Sequence, residues 1–291
     1  MVIEQKWDHL KALLHDMHGA VLAYSGGVDS SLLLRAAAEV MGANLIAVTA
    51  VSETYPEGEL IAAQEIARSL GVTHRIVHTE ELASEDFARN PPDRCYHCKK
   101  ELFEKLRRLA ADEGVSFVMD GSNADDLRDH RPGRKAAAEL SVRSPLLEAG
   151  FTKAEVRERA RALGLTVWDK PSLACLSSRI PYGTRITPAL IRTVGAAEEQ
   201  LRAFGFGQAR VRHHGDIARI EVMQEDFAKL LNRDIAEKIA ARFRELGYIY
   251  ICLDIEGYRT GSMNQGLRTE GRGTSDDGRE RNLRPSSHRA K

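Results

Sequence analysis

Short apolar runs alternate with helical patterns over the first 120 residues, and this alternation constrains the fold more than any other feature. The runs lie at residues 20–24, 44–51, 73–78 and 115–120, and their length and apolar content predict strands. Strands that alternate with helices form βαβ units, so we predict an α/β fold with a doubly wound parallel sheet. Ligands of such sheets bind beyond the carboxyl ends of the strands.

The alternation stops at a segment rich in proline and glycine, which we interpret as a linker over residues 170–187. The preceding residues 1–169 are predicted to form one large domain. Helical and strand patterns resume after the linker and predict a smaller C-terminal α+β domain over residues 188–257. Residues 258–291 show little apolar periodicity and are predicted to be disordered.

Charge and composition disfavour several classes of protein. The chain has 42 Lys+Arg and 42 Asp+Glu, whereas a protein that grips nucleic acid with its whole surface usually has a basic excess. No apolar run reaches the roughly 18–20 residues of a membrane span, and the polar N-terminus has no signal-peptide core. Four cysteines are too few for a disulfide scaffold in a chain of this length. We therefore expect a cytoplasmic protein with reduced thiols that binds no membrane.

A glycine-rich loop joins the first predicted strand to the helix that follows it. Its sequence is Ser25-Gly26-Gly27-Val28-Asp29-Ser30. The glycines allow backbone N–H groups to approach an anion closely, and the positive end of the helix dipole faces the same point. Ser25 and Ser30 add hydroxyl donors, although the loop has no Walker lysine. We predict a phosphate site, and a plain glycine turn capped by Asp29 or Ser30 is the alternative.

A second polar loop follows the fourth predicted strand. Asp125 and Asp126 offer carboxylates for Mg²⁺, while Arg131 and Arg134 offer guanidinium groups for phosphate. The alternative is a solvated turn rich in Asp and Asn. Because this loop and the glycine-rich loop both leave the carboxyl ends of strands, we favour a shared nucleotide site.

Two cysteines, Cys95 and Cys98, lie at the start of a predicted helix, and their spacing places both thiols on one face. The helix dipole and the neighbouring Arg94, Lys99 and Lys100 favour thiolates. A single CxxC is also typical of half a zinc site, a redox pair or two ordinary buried residues.

The other two cysteines differ in their surroundings. Cys175 lies in an irregular, proline-bounded segment near Arg179, where a purely structural cysteine is not expected. Together with the CxxC pair it gives a candidate set of three chemically active thiols. Cys252 lies in an apolar run at residues 248–254, and we predict that it is a core residue.

Two arginines, Arg210 and Arg212, alternate along a predicted strand of the smaller domain, so their guanidinium groups lie on one face. With Arg179 they form a candidate clamp for a substrate phosphate. The alternative is a charged strand edge that faces solvent.

The hexapeptide SGGVDS resembles the signature of the PP-loop ATP pyrophosphatases. Three further segments, GSNADD, KPSLACLSSRIPYG and RVRHHGDIARIEV, extend the resemblance to the LarE family. That family consists of ATP-dependent sulfur transferases that mature the nickel-pincer cofactor of lactate racemase. The resemblance implies that residues 25–30 bind the ATP phosphates with Mg²⁺. It also implies that AMP is attached to the carboxylates of pyridinium-3,5-biscarboxylic acid mononucleotide, which then become thiocarboxylates.

The resemblance further implies a cofactor and a set of active-site residues. One branch of the family holds a 4Fe–4S cluster with three cysteines, and the residues that match it are Cys95, Cys98 and Cys175. Arg210 and Arg212 are implied to hold the substrate phosphate. The implied catalytic residues are Cys175, Ser178, Arg179 and Glu198. A sulfur donor system that reloads the site and a homo-oligomer, either a trimer or a hexamer, are also implied.

Three alternatives to this function stay open at the level of the sequence. A tRNA thiolase also pairs a PP-loop with cysteines, but the neutral chain has no obvious RNA-binding appendage. An amide-forming ligase similar to NAD synthetase would not need three cysteines. A nucleotide- or metal-binding module without chemistry would bind ATP and release no pyrophosphate.

Overall fold

A computed structural model describes residues 2–55, 57–127, 132–171 and 175–264. Residues 1–259 form one compact unit, and residues 260–291 form a second. The α-helices and strands described below all belong to the first unit. The candidate residue Arg131 and the greater part of the predicted disordered tail lie outside the described residues.

Among the described residues, four parallel strands form the larger sheet. They are β1 (Ala20–Ala23), β2 (Leu45–Val51), β3 (Thr73–His78) and β4 (Phe117–Met119). Their order across the sheet is β3-β2-β1-β4, and each pair of neighbours runs parallel. The first strand is central, so the loop at its carboxyl end lies beside the loops that leave β2 and β4.

Helices cover both faces of this sheet. In the described residues the α-helices are α1 (Ile3–Met17), α2 (Val28–Met41), α3 (Glu57–Ser69), α4 (Glu85–Ala88), α5 (Arg94–Asp112), α6 (Gly133–Glu139), α7 (Pro145–Glu148), α8 (Lys153–Ala162), α9 (Pro188–Ala203), α10 (Phe227–Leu230) and α11 (Arg233–Glu245). Val21 and Leu22 are adjacent on β1 but belong to different apolar clusters, one with Phe103 of α5 and the other with Leu32 of α2. A strand buried on both faces requires this arrangement, and the predicted doubly wound α/β fold is confirmed.

A smaller, mixed sheet lies in the C-terminal part of the same compact unit. Its strands are β5 (Ala209–His214), β6 (Ile217–Val222) and β7 (Tyr250–Leu253). β6 is central, antiparallel to β5 and parallel to β7. One face packs against α9 and α11 through an apolar cluster that includes Val211, Ile220, Leu201 and Phe243. The division into domains at residues 170–187 stays a prediction.

The expectation that Cys252 is a core residue is wrong, because its side chain is exposed. β7 is an edge strand, and alternate side chains of a strand point to opposite faces. Ile251 and Leu253 pack against the apolar cluster of the smaller sheet, so Cys252 points away from that cluster. Among the described residues, no helix is both long and apolar enough to cross a membrane.

Candidate active site

The glycine-rich loop runs from the end of β1 into α2, which begins at Val28. Gly26 has a positive φ of 70°, a conformation that side chains other than glycine rarely adopt. A Cβ atom at this position would lie 2.9 Å from the Cβ atom of Ala63, so space excludes a side chain as well. Both constraints require glycine at position 26, and the second shows that the loop backbone packs closely against α3.

Hydroxyl groups inside the loop fix its shape. The backbone N–H of Ser25 donates to Oγ of Ser30 (3.3 Å), and Oγ of Ser30 donates to the carbonyl oxygen of Gly27 (3.1 Å). Ser30 is buried, whereas Ser25 is exposed. Ser30 therefore organises the loop from within, and Ser25 is the hydroxyl that an incoming anion would meet first.

The loop that follows β4 makes close contact with the glycine-rich loop. A Cβ atom on Gly121 would lie 2.9 Å from the backbone nitrogen of Ser30, so only glycine allows this approach. Nδ2 of Asn123 donates to Oδ1 of Asp29 (3.0 Å), which ties the two loops together. The structure thus brings the two predicted halves of the nucleotide site into one place.

A lysine that the sequence patterns did not single out also lies at this site. Lys153 begins α8, and its ammonium group forms an ion pair with Asp29. Its backbone N–H donates to Oδ2 of Asp125 (2.8 Å), so Asp125 helps to fix the start of α8. The sequence feature that could have located the start of α8, and with it Lys153, is the capping box formed by Thr152 and Glu155.

The CxxC cysteines lie in the first turns of α5, which begins at Arg94. Cys95 is exposed, and Cys98 is partly buried against an apolar cluster that includes Phe87, Leu176 and Ile180. Because Leu176 follows Cys175 directly, this cluster joins the CxxC helix to the segment that carries the third cysteine.

The environment of Cys98 opposes the thiolate that the sequence favoured. Burial raises the pKa of its thiol well above the usual range, and the charges of Glu81, Cys175 and Cys95 raise it further. Lys99 acts in the opposite direction but has a smaller effect on this pKa. Without a bound metal, the pKa of Cys98 is therefore shifted in the direction opposite to the one that the helix dipole and the basic neighbours favour. The same interactions place both Cys95 and Cys175 within electrostatic reach of Cys98.

Arg179 organises the segment around Cys175. Its Nη1 atom donates to the carbonyl oxygen of Cys175 (3.1 Å) and to Oγ of Ser178 (2.9 Å). Its Nε and Nη2 atoms donate to the two carboxylate oxygens of Glu198 at 2.7 and 2.9 Å. Arg179 and Glu198 are only 3% and 2% exposed, and Glu198 also accepts the backbone N–H of Val211 (3.1 Å). This buried ion pair joins the cysteine segment to α9 and β5.

The two arginines of β5 extend this polar network. Nη1 of Arg212 donates to the carbonyl oxygen of Ser178 (3.2 Å), and its Nη2 atom donates to the buried Glu221 (2.7 Å). Burial and the charge of Arg179 lower the pKa of Arg210, whose guanidinium group lies 5.4 Å from the ring centre of Tyr258. Both β5 arginines are buried, which excludes the alternative of a solvent-facing strand edge.

The loop that leaves β2 connects the glycine-rich loop with the cysteine segment. The hydroxyl group of Tyr55 donates to the carbonyl oxygen of Ser25 (3.3 Å). The adjacent Thr54 accepts the backbone N–H of Leu176 through its carbonyl oxygen (3.4 Å). Two consecutive residues therefore contact the candidate phosphate site and the segment that carries Cys175.

The sequence suggested two metal groups that the cysteine thiols could bind, a zinc ion and a 4Fe–4S cluster. None of the four cysteines forms a disulfide bond. In the described part of the chain, no group of three or more His, Cys, Asp or Glu side chains is close enough to hold a metal ion. A 4Fe–4S cluster binds each thiolate at a different iron atom, so its ligands surround a cubane instead of meeting at a point. Cys98 interacts electrostatically with both Cys95 and Cys175, so these three thiols are the candidates for such a ligand set.

Comparisons with known proteins identify the family. Residues 18–179 match the family model described as asparagine synthase. An uncharacterised protein of Synechocystis is 43% identical over 91% of this chain and 99% of its own length. The pyridinium-3,5-bisthiocarboxylic acid mononucleotide synthase of Lactiplantibacillus plantarum is 40% identical over 89% of this chain and 93% of its own length.

Similarity to other ATP-using enzymes is more limited. The argininosuccinate synthase of Natronomonas pharaonis is 27% identical and matches 53% of this chain and 41% of its own length. The Synechocystis and Lactiplantibacillus plantarum relatives, in contrast, each match about nine tenths of this chain. The chain carries an ATP-using PP-loop domain and belongs to the LarE family of ATP-dependent sulfur transferases.

Proposed function

We propose that this chain converts the carboxylates of pyridinium-3,5-biscarboxylic acid mononucleotide to thiocarboxylates at the expense of ATP, in nickel-pincer cofactor biosynthesis. The relative from Lactiplantibacillus plantarum, named as a synthase of the bisthiocarboxylic acid mononucleotide, supports this substrate. The observation that carries the proposal is the link between the two sites. Thr54 and Tyr55 contact the Cys175 segment and the phosphate loop, so an adenylated carboxylate would form beside the thiols.

The phosphate loop and its neighbours would bind ATP. The backbone of Gly26 and Gly27, the hydroxyl of Ser25 and the start of α2 would hold the phosphates. Carboxylates are the ligands that Mg²⁺ prefers, and Asp29 and Asp125 are the candidates for that ion. Ser30 would keep the loop in shape, because its hydroxyl bonds lie inside the loop. Arg131, outside the described residues, is proposed to neutralise phosphate charge.

The ammonium group of Lys153 would change partner when ATP binds. In the structure it neutralises Asp29 at the start of α2. A phosphate group at the same point would compete for this cation, and Mg²⁺ would take over the carboxylate of Asp29. The ion pair would therefore hold the site in order until nucleotide and metal arrive together.

The chemistry would proceed in two steps for each carboxylate. A carboxylate oxygen of the substrate attacks the α-phosphorus of ATP, and the bond to pyrophosphate breaks. A sulfur nucleophile then attacks the activated carbonyl carbon, and AMP leaves with the electron pair of the broken C–O bond. Adenylation turns a poor leaving group into a good one, and preorganised cations stabilise the negative charge that develops.

Cys95, Cys98 and Cys175 would hold a 4Fe–4S cluster that has one iron without a protein ligand. When bound, the cluster would supply sulfide as the nucleophile. A separate sulfur donor system would replace the sulfide that each turnover consumes. Around this group, Arg179 keeps Cys175 and Ser178 in fixed positions, and Glu198 fixes Arg179 through two hydrogen bonds. Protein reconstituted without oxygen should be brown and show an EPR signal after reduction. Colourless protein with stoichiometric zinc would contradict the cluster.

The substrate phosphate would bind at the β5 arginines. Burial and repulsion from Arg179 lower the pKa of Arg210, so an added anion would stabilise the positive charge there. Arg212 is held against Glu221 and the backbone of Ser178, which would aim the bound nucleotide at the cysteine segment. From the family resemblance we also propose a cytoplasmic homo-oligomer, either a trimer or a hexamer.

The two half-reactions give a test that separates the sites. A Cys175→Ala variant should still release pyrophosphate from ATP in the presence of the mononucleotide, but it should not exchange oxygen for sulfur. The iron content of this variant is measured in parallel, so that loss of the cluster is recorded. Failure of the wild-type protein to form AMP with this substrate would refute the proposal.

A further inference from the structure

Asn90 joins the two segments that carry the proposed cluster ligands. It lies in the turn between α4 and α5, five residues before Cys95. Its side chain is 0% exposed, and its φ of 58° is in the left-handed region, which Asn tolerates better than most residues. A residue that is buried and conformationally restricted in this way is held by its surroundings, and the surroundings here are the residues that follow Cys175.

The amide group of Asn90 satisfies the backbone of that second segment. Its Nδ2 atom donates to the carbonyl oxygens of Ile180 (3.2 Å), Pro181 (2.7 Å) and Thr184 (3.1 Å). The backbone carbonyl oxygen of Asn90 accepts a hydrogen bond from the backbone N–H of Gly183 (3.0 Å). One side chain and one peptide group thereby hold the chain from 180 to 184, which follows directly on the short 3₁₀ helix after Cys175.

Arg94 reinforces the same junction from the helix side. Its Nη1 atom donates to Oδ1 of Asn90 (2.7 Å), and its guanidinium group stacks over the ring of Tyr182, 4.6 Å from the centroid. Arg94 is buried and directly precedes Cys95. The polar groups of Asn90 thus have partners on both segments, one segment leading into the CxxC helix and the other leading out of the Cys175 turn.

We propose that Asn90 is a positioning residue that sets the placement of Cys175 relative to the Cys95–Cys98 pair. The inference rests on the proposed function, because three thiols must face one group for the cluster to form. The distance within the CxxC pair is fixed by a single helix and does not depend on Asn90. The distance from Cys175 to either of the other cysteines depends on contacts between two segments, and Asn90 makes four of those contacts.

Thiol cross-linking tests this placement without ATP, substrate or metal. Reduced full-length protein is treated with a short bifunctional thiol reagent, and the bridged peptides are quantified by mass spectrometry. The ratio of bridges that include Cys175 to bridges between Cys95 and Cys98 reports the placement. In Asn90→Gly, which keeps the backbone conformation, we expect this ratio to fall about tenfold, the size of effect that the loss of a few buried hydrogen bonds produces.

Two further variants guard against a loss of folding. In Asn90→Asp the shape is kept, but a carboxylate would face three carbonyl oxygens without a donor, so the ratio should fall similarly. If neither variant folds, Tyr182→Leu removes only the stacked ring and should lower the ratio about threefold. Leu14→Ala, a core change in the distant helix α1, should lower stability and leave the ratio unchanged.

The result is distinguishable from a failure of the proposed function. After anaerobic reconstitution, Asn90→Gly should release pyrophosphate at a rate close to wild type and lose iron and multiple-turnover sulfur transfer. An unchanged cross-link ratio in the folded variants would overturn the inference even if wild-type protein transfers sulfur. If the ratio falls in Asn90→Gly but the wild-type protein transfers no sulfur, the positioning role of Asn90 is supported and the proposed function is rejected.

Discussion

The buried Arg179–Glu198 ion pair makes a quantitative prediction for the Glu198→Ala variant. Both partners are almost completely buried, and two parallel hydrogen bonds of 2.7 and 2.9 Å join them. The substitution would remove two of the four hydrogen-bond acceptors described above for the buried guanidinium group of Arg179. The carbonyl oxygen of Cys175 and the hydroxyl of Ser178 would remain. It would also remove the acceptor of the Val211 N–H.

The expected cost follows from these contacts. Removing one partner of a buried pair costs about 3–5 kcal/mol, much of it because the other charge stays buried. The unpaired Val211 N–H adds to this, while water that enters the space vacated by the side chain offsets part of it. We therefore expect a loss of about 4 kcal/mol, or a fall in the unfolding midpoint of about 8 °C at roughly 2 °C per kcal/mol for a unit of this size. Glu198→Gln keeps an acceptor and should cost about half as much.

Thermal and urea unfolding of the variants measure this loss, and the exposed Arg185–Glu85 pair provides a matched control. This pair is also joined by two hydrogen bonds, at 2.6 and 2.8 Å, but it lies at the surface. Solvent screening makes such a pair nearly neutral, so Glu85→Ala should not shift the midpoint measurably. A shift in Glu198→Ala no larger than that in Glu85→Ala would refute the account of the buried network.

Three other predictions concern the PP-loop domain. Gly26→Ala should weaken ATP binding, measured by calorimetry, at least about tenfold, because Gly26 has a positive φ. Gly27→Ala should have a smaller effect, because Gly27 has an ordinary φ and a Cβ atom there would lie 3.4 Å from its nearest neighbour, Oγ of Ser25. Lys153→Met leaves Asp29 without its cation and should slow pyrophosphate release at least about tenfold while the fold is kept, and an unchanged rate would remove Lys153 from the site. Burial lowers the pKa of His74, so the unfolded chain takes up its proton first and stability should fall as the pH drops below about 6.5. Urea titrations at several pH values should show that the stability of His74→Gln depends less on pH than the stability of the wild-type protein.

The larger sheet could be predicted because local patterns determine it. The central strands β1 and β2 are short apolar runs, and the predicted strand 73–78 agrees with the observed Thr73–His78 at both ends. The glycine-rich loop was recognisable for the same reason, since the need for glycine at position 26 arises within a few residues of β1. Periodicity and turn chemistry therefore carry this part of the fold.

Contacts between distant segments could not be read in the same way. Lys153 reaches Asp29 across 124 positions of sequence, and Asn90 reaches Ile180 across 90. The burial of Cys98 depends on a cluster to which the Cys175 segment contributes, so helix-dipole reasoning alone predicted a shift of its pKa in the wrong direction. Cys252 was misassigned because an apolar run does not reveal which side chains of an edge strand face outward.

The mass of the reaction product tests the central claim most directly. Anaerobically reconstituted protein is given ATP, Mg²⁺ and pyridinium-3,5-biscarboxylic acid mononucleotide together with a sulfide source. The account predicts that both carboxylates exchange oxygen for sulfur over several turnovers, with one AMP and one pyrophosphate formed for each sulfur gained. AMP formation without any gain of sulfur, or full multiple-turnover sulfur transfer by a Cys95→Ala variant, would contradict it.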